Sequence, residues 1–256
     1  MGRPGAWAAQ RTSIAGSAED LVNMTDIGSM LHAAGLDGRG AFHPVTGDGV
    51  PPMATGLPVR TVVLAGNAGP HMWRTFSPAR AKGGMTLDAW SESVLSDLAG
   101  QLGACAAFPF RRPYLPFQRW AMRAEACQPS PLGLLIHPDY GVWHGYRGAL
   151  LFAEELELAA PDRRPSPCVS CVGRPCLSAC PAGAFTDGGY DVPACARHLA
   201  AEPEPACMKI GCLARHACPV GSDYRYAPVQ ARFHMTSFLR NHRPAGSVAP
   251  GIALPT

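Results

Sequence analysis

Apolar residues recur along this chain at two different periods, and the alternation between them predicts the order of its elements. Leu21, Met24, Ile27, Met30, Leu31 and Ala34 repeat at helical spacing behind a capping Ser17 and the acidic pair Glu19 and Asp20, and Gly35 stops the run. Residues 37–58 are dense in glycine and proline and read as a linker. Arg60–Ala65 is a continuous apolar run, the mark of a buried strand. It enters a G-N-A-G-P turn whose Gly66 and Gly69 lack the Lys-Ser/Thr of a phosphate loop. His71, Met72, Trp73 and Phe76 predict a short helix, and Leu87, Trp90, Val94, Leu98 and Leu102 a longer one capped by Thr86. Strands follow at Ala104–Phe108, Pro131–Ile136 and Gly145–Phe152, with a helix over Phe117–Cys127 and a last amphipathic helix over Pro228–Arg240. Residues 1–17 read as a loose arm and 241–256 as a frayed tail.

Composition narrows the class. With 256 residues, 47% apolar and 16% charged, the chain buries a real core, and 28 glycines with 26 prolines mean many turns. A net charge of +3 is too small to argue for a nucleic-acid partner. The first residues lack the apolar core of a signal peptide, and no apolar run reaches the roughly 18 residues of a membrane helix. The expectation is a cytoplasmic protein with no membrane partner, whose thiols stay reduced and free to bind metal.

Eight of the ten cysteines fall between Cys168 and Cys218. Cys168, Cys171, Cys176 and Cys180 form C-x2-C-x4-C-x3-C-P; Cys207, Cys212 and Cys218 form C-x4-C-x5-C-P, with Cys195 between the runs. Three chemistries use such a set. Iron–sulfur clusters take four thiolates each, and a bacterial run ending x3-C-P sends its last cysteine to the other cluster of a pair. By spacing, Cys168, Cys171, Cys176 and Cys218 would hold one cluster, and Cys180, Cys195, Cys207 and Cys212 a second. A zinc site pairing the Cys168/Cys171 and Cys207/Cys212 knuckles stays open, as do a disulfide framework and a single cluster on the first run. Cys105 and Cys127 read as packed thiols.

Two further stretches carry chemistry. Between Pro109 and Trp120, arginines interleave with aromatics, either as a rim for flat or anionic ligands or as a proline-rich loop anchored by its rings. After the Pro131–Ile136 strand comes H-P-D-Y-G-V-W-H-G-Y-R-G, with His137 and His144 flanking a glycine and aromatic loop.

That last stretch, I-H-P-D-Y-G-V-W-H-G-Y-R-G-A-L-L-F, resembles the C-type cobalamin-processing protein of animals. The cysteine region, with Tyr190-Asp191 ahead of the lone Cys195, resembles the dicluster domain of epoxyqueuosine reductases and reductive dehalogenases. The resemblance covers roughly residues 58–222. It implies an α/β (α+β) chain: a nitroreductase-like sheet-and-helix domain followed by a small ferredoxin-like di-[4Fe-4S] domain. The units would be an N-terminal arm, helix and linker (1–57), the corrinoid-binding domain (58–160), the dicluster domain (161–225), and a C-terminal helix and tail (226–256). It further implies that His137, Pro138, Tyr140, Gly141, Trp143 and Gly148 face a corrinoid such as cobalamin. The aspartate that epoxyqueuosine reductases carry in a D-S-A-P element has no counterpart in Pro113–Phe117, where Tyr114 is the proton donor. The function implied is electron relay from a donor protein, through two [4Fe-4S] clusters, to a corrinoid or small-molecule substrate. A ferredoxin-like carrier without corrinoid and a zinc-stabilised interaction module are the alternatives.

Overall fold

The structure, a computed structural model, describes residues 23–53, 55–186, 188–201 and 205–242. The expected arm, the Ser17 cap and most of the tail lie outside them. Helix α1 (Met24–Ala33) begins where Asn23 accepts a hydrogen bond from the Asp26 N–H at 3.0 Å, and it buries Ile27 and Leu31. Residues 37–42, expected within a linker, instead form an edge strand, β1 (Asp37–Phe42). The glycines that read as linker have a packing role. Gly40 has φ +72°, and a Cβ there would stand 2.4 Å from the Ala124 carbonyl oxygen, so glycine lets the strand pass a neighbouring helix end.

Strand β2 (Thr61–Ala68) follows, then helices α2 (His71–Gly83) and α3 (Leu87–Gln101). Thr86 caps α3 as expected, its hydroxyl accepting from the Ala89 N–H at 3.1 Å. Next come β3 (Cys105–Ala107), α4 (Phe117–Ala124), a short hairpin of β4 (Gln128–Pro129) and β5 (Leu135–Ile136), and β6 (His144–Phe152). The strand expected over Pro131–Ile136 shrinks to the two residues of β5, because Gly133 at φ +70° turns the chain within it.

The main sheet runs β1-β2-β6-β3 with every neighbouring pair antiparallel. Helices cover both its faces. Val63, Ala65, Leu150 and Phe152 pack with α1, α2 and α3. Their alternate neighbours Val62, Leu64, Ala149 and Leu151 pack with Phe117, Trp120 and Ala121 of α4. Burial on two faces is why β2 reads as an unbroken apolar run. Phe117 and Trp120 therefore anchor the arginine and aromatic loop to the core, and the indole N–H of Trp120 donates to the Asp48 carbonyl at 2.8 Å.

The cysteine-bearing part contains α5 (Pro175–Ser178), the hairpin β7 (Phe185–Thr186) and β8 (Gly189–Tyr190), α6 (Val192–Ala201), α7 (Ala206–Ile210) and α8 (Leu213–His216). Helix α9 (Pro228–Asn241) ties the two parts together. Phe233 of α9 lies 5.1 Å from Trp73 and 5.6 Å from Phe76 in the sheet core, while Leu239 joins Leu199, Cys207 and Met208. The result is a mixed helix-and-sheet chain. No described helix is long and apolar enough to cross a membrane.

Candidate metal centre and adjoining cavity

Short helices set the cysteines. Pro175 opens α5 at its first turn, where its missing N–H costs nothing, and Cys176 follows inside the helix. Cys180 then falls just past the helix end, with Pro181 forbidding its continuation. Cys195 lies in α6 and Cys207 in α7; Gly211, at φ +95°, turns the chain so that Cys212 caps α8. Cys218-Pro219 closes α8 as Cys180-Pro181 closes α5.

The eight thiols gather in two groups of four. Cys168, Cys171, Cys176 and Cys218 line one hollow, and Cys176 feels the charge of the other three. Cys195 feels Cys212, Cys180 and Cys207. The two runs thus exchange their members: Cys180 joins the far group, and Cys218 returns to the first. All ten cysteines are free thiols. Burial pushes Cys176, Cys195, Cys207, Cys212 and Cys218 above the ordinary thiol range, and neighbouring cysteines add to it. Directed N–H groups oppose it: Ala214 and Arg215 toward Cys212, Leu213 toward Cys207, and Val220 toward Cys218. Tyr190 hydrogen-bonds Cys195.

The spacing within each group bears on what it would hold. One tetrahedral zinc, with sulfurs about 2.3 Å away, sets its thiolates about 3.8 Å apart. Among the described residues no three cysteine sulfurs lie within 4.8 Å of one another. The Cys168/Cys171 and Cys207/Cys212 pairs of the zinc reading also stand in different groups.

The six residues expected to face a corrinoid lie on one turn and on the strand that follows it. Gly141 packs against the second cysteine run: a Cβ there would stand 2.0 Å from the Val220 carbonyl oxygen. Gly221, across the same contact, would meet the Tyr140 carbonyl at 2.3 Å. His137 is buried, accepts from the Asp139 N–H at Nδ1 (3.1 Å) and stacks on Tyr140, with ring centroids 4.3 Å apart. Burial keeps its pKa below the ordinary value. The Trp143 ring is 1% exposed and lies under the Arg215 guanidinium at 4.6 Å. Gly148 is in the sheet, its α-hydrogen against Leu95 and Ala107. Pro138 completes this turn. None of the six borders the cavity described next, and Tyr140, Gly141 and Trp143 lie on the seam between sheet and cysteine parts.

The cavity opens on that seam and measures about 330 Å³. It is bordered by Asn67, Gly145, Tyr146, Arg147, Arg215 and His234, among others. Val142 and His144 border it as well. Arg215 Nε and His234 Nε2 are buried and have no hydrogen-bond partner among the described residues. Burial lowers His144 to a pKa of about 3 and His234 to about 4, so both are neutral near pH 7 and the cavity's fixed positive charge comes from its arginines.

Behind the cavity lies a polar network that sequence reasoning missed. Arg39, 1% exposed, makes two hydrogen bonds to Glu125, at 2.9 and 2.7 Å, and one to the Asn67 carbonyl at 2.7 Å. Its guanidinium also meets His144 Nδ1 at 3.2 Å and lies over the rings of Tyr140 and Tyr146. The Tyr146 hydroxyl donates to Glu125 at 2.9 Å and lies 3.1 Å from the Cys127 sulfur. Cys127 is therefore a packed thiol, as expected, but within this network; burial pushes it up to about 11. Tyr114 is 65% exposed and does not border the cavity.

No protein-family model and no curated protein matches this chain. Among solved structures it is similar to a selenomethionine-labelled epoxyqueuosine reductase, at 16% identity and a TM-score of 0.41, covering 68% of this chain and 52% of that one. It is similar to an epoxyqueuosine reductase with an epoxyqueuosine-modified tRNA-Tyr stem loop, at 15% identity and a TM-score of 0.42, covering 78% and 66%. A third is the Bacillus subtilis epoxyqueuosine reductase, at 15% identity and a TM-score of 0.43, covering 77% and 65%. These are members of a family that the cysteine runs resemble. The chain spans about half to two-thirds of their length. Likeness of this degree carries no chemistry across.

Proposed function

We propose that this chain is an iron–sulfur oxidoreductase. Cys168, Cys171, Cys176 and Cys218 would hold one [4Fe-4S] cluster, and Cys180, Cys195, Cys207 and Cys212 a second. The acceptor it reduces would bind in the cavity on the seam. The observation that supports this is the exchange of the last cysteine of each run, the habit of two-cluster proteins. When bound, such clusters supply electrons one at a time. An external donor protein has to deliver them.

The chain's own residues define the rest. Backbone N–H groups directed at Cys207, Cys212 and Cys218 would stabilise charge on those sulfurs. Arg215 connects the two regions: it lies beside Cys212, donates to the Val142 carbonyl at 2.5 Å, is held over Trp143 and Tyr226, and borders the cavity. With Arg147, Asn67 and neutral His234 it selects an acceptor carrying carbonyl or anionic groups on a flat body. Were that acceptor a corrinoid, these residues and Gly145 would hold it, and it would supply a reducible cobalt. A net charge of +3 gives no support for a nucleic acid in that place.

The test is metal and sulfide analysis of the anaerobically purified protein. The proposal expects about eight iron and eight sulfide per chain. It expects about half of each in Cys176→Ala and in Cys207→Ala. About one zinc and no acid-labile sulfide would overturn it. Titration with cob(II)alamin then separates the acceptors: spectral change weakened by Arg215→Ala supports a corrinoid in the cavity, and no change leaves the carrier reading.

A further inference from the structure

We infer that His32, Asp37 and His71 form a binding site for one divalent first-row transition-metal ion, separate from the cysteines. Their ligand atoms all lie within 4.8 Å of one another, the only such trio among the described residues. Three elements converge there. His32 lies in the last turn of α1, Asp37 begins β1, and His71 begins α2. His71 Nδ1 lies 3.0 Å from Asp37 Oδ1, and His32 Nδ1 lies 3.6 Å from the same oxygen. One ion with nitrogen and oxygen ligands about 2.0–2.2 Å away in a tetrahedron spaces them about 3.3–3.6 Å apart. The 3.6 Å separation matches that spacing, and the 3.0 Å one is a hydrogen bond between the His71 imidazole and Asp37 that an ion would replace.

The carboxylate is also oriented from behind. Asp37 Oδ2 accepts from the Ala68 N–H at 2.9 Å, leaving Oδ1 turned to the two imidazoles. A ligand held by such an outer hydrogen bond is the usual arrangement at metal sites. The two rings are stacked at 4.0 Å with 18° between their planes, so their lone pairs do not yet converge on one point. His32 is 68% exposed, and its ring turns out of the stack without disturbing the core. Two imidazoles and one carboxylate suit zinc, nickel or iron(II) and leave positions open for water or a further ligand. The site shares no residue with the cysteine groups or the cavity, and it is independent of the proposed clusters.

The experiment is equilibrium dialysis of untagged protein against micromolar nickel(II), with metal counted per chain, on wild type, His32→Gln, His71→Gln and Asp37→Asn. Asparagine keeps an oxygen for the Ala68 N–H, so the last variant removes charge without removing that hydrogen bond. Because cysteines also take nickel, the readout is the difference between wild type and variants. The inference expects one equivalent more in wild type, with affinity weakened at least tenfold in every variant. Thermal unfolding of wild type with and without nickel gives a second measure, expected to rise for wild type and not for the exposed-site variant His32→Gln. Equal nickel content in wild type and His32→Gln, with no nickel-dependent shift in unfolding, would overturn it.

Discussion

Gly141→Ala tests whether the His137–Trp143 turn is a seam or a ligand cradle. Gly141 sits at φ +56°, a conformation that costs an L-residue roughly 1–2 kcal/mol. The new methyl would also lie 2.0 Å from the Val220 oxygen and 2.7 Å from its carbonyl carbon. Both are backbone atoms, so no side chain can rotate aside; the segment after Cys218 has to move. Forced overpacking of this kind adds about 1–3 kcal/mol. The sum is about 2–5 kcal/mol. Gly56→Ala supplies the control, with φ +81° and nothing within 4 Å of the new methyl, so it carries the backbone cost alone. The assay is urea unfolding followed by tryptophan fluorescence, to which the buried Trp143 contributes. The expectation is that Gly141→Ala loses at least 1 kcal/mol more than Gly56→Ala, taking the lower bound for overpacking. Gly221→Ala should behave alike, its methyl 2.3 Å from the Tyr140 carbonyl. The two together should cost less than their sum, since one shift of the seam relieves both. If Gly141→Ala and Gly56→Ala unfold at the same urea concentration, the seam is loose and the reasoning fails.

Three further outcomes follow. Arg39→Met leaves Glu125 buried without its cation and should cost about 3–5 kcal/mol, while Arg39→Met with Glu125→Leu recovers most of it in a double-mutant cycle by urea unfolding; full additivity of the two would refute a coupled pair. His144 and His234 have folded-state values of about 3 and about 4, below the ordinary 6.5, so the unfolded chain binds more protons between those limits. Their contribution is therefore complete above pH 6.5 and is lost as pH falls through 6 toward 4, on the order of 3 kcal/mol each, and His234→Phe should flatten unfolding midpoints measured between pH 7 and pH 4.5. Cys127, pushed up to about 11 and 0% exposed, should resist iodoacetamide at pH 8 in the native protein and react in urea, as read by peptide mass spectrometry; native labelling as fast as in urea would contradict its burial.

What could be read in the sequence was what has a short period or a short spacing. The Thr86 cap, the apolar run of β2 and the 144–152 strand are local patterns, and they appear where the pattern predicts. The proposed division of the thiols into fours rests on the same kind of short spacing, since Cys180 and Cys218 each fall two residues past a one-turn helix. Arg39 and Glu125 were not legible. They are separated by 86 residues, one lies in what reads as a linker, and their pairing depends on β1 passing the end of α4 through Gly40. Nothing periodic marks either residue.

The His137–Trp143 turn has two readings for a related reason. A glycine beside aromatic residues has the same signature whether a flat ligand or another stretch of backbone approaches it. Here it is backbone: Gly141 against Val220, and Gly221 against Tyr140. That substitution changes the logic of the site. A turn locked to the second cysteine run makes the order of the cavity depend on the order of the thiol groups, since Val142 and Arg215 border the cavity and Arg215 lies between Cys212 and Cys218. Loss of whatever holds the thiols should therefore reach the cavity through α8. Removing metal from the wild type should raise hydrogen exchange at Val142–Tyr146 as well as at the cysteines, and leave exchange in the core strands β2 and β6 beyond Gly148 unchanged. Exchange rising at the cysteines alone would mean that the seam transmits nothing, and the cavity would then have to be treated as a site of the sheet by itself.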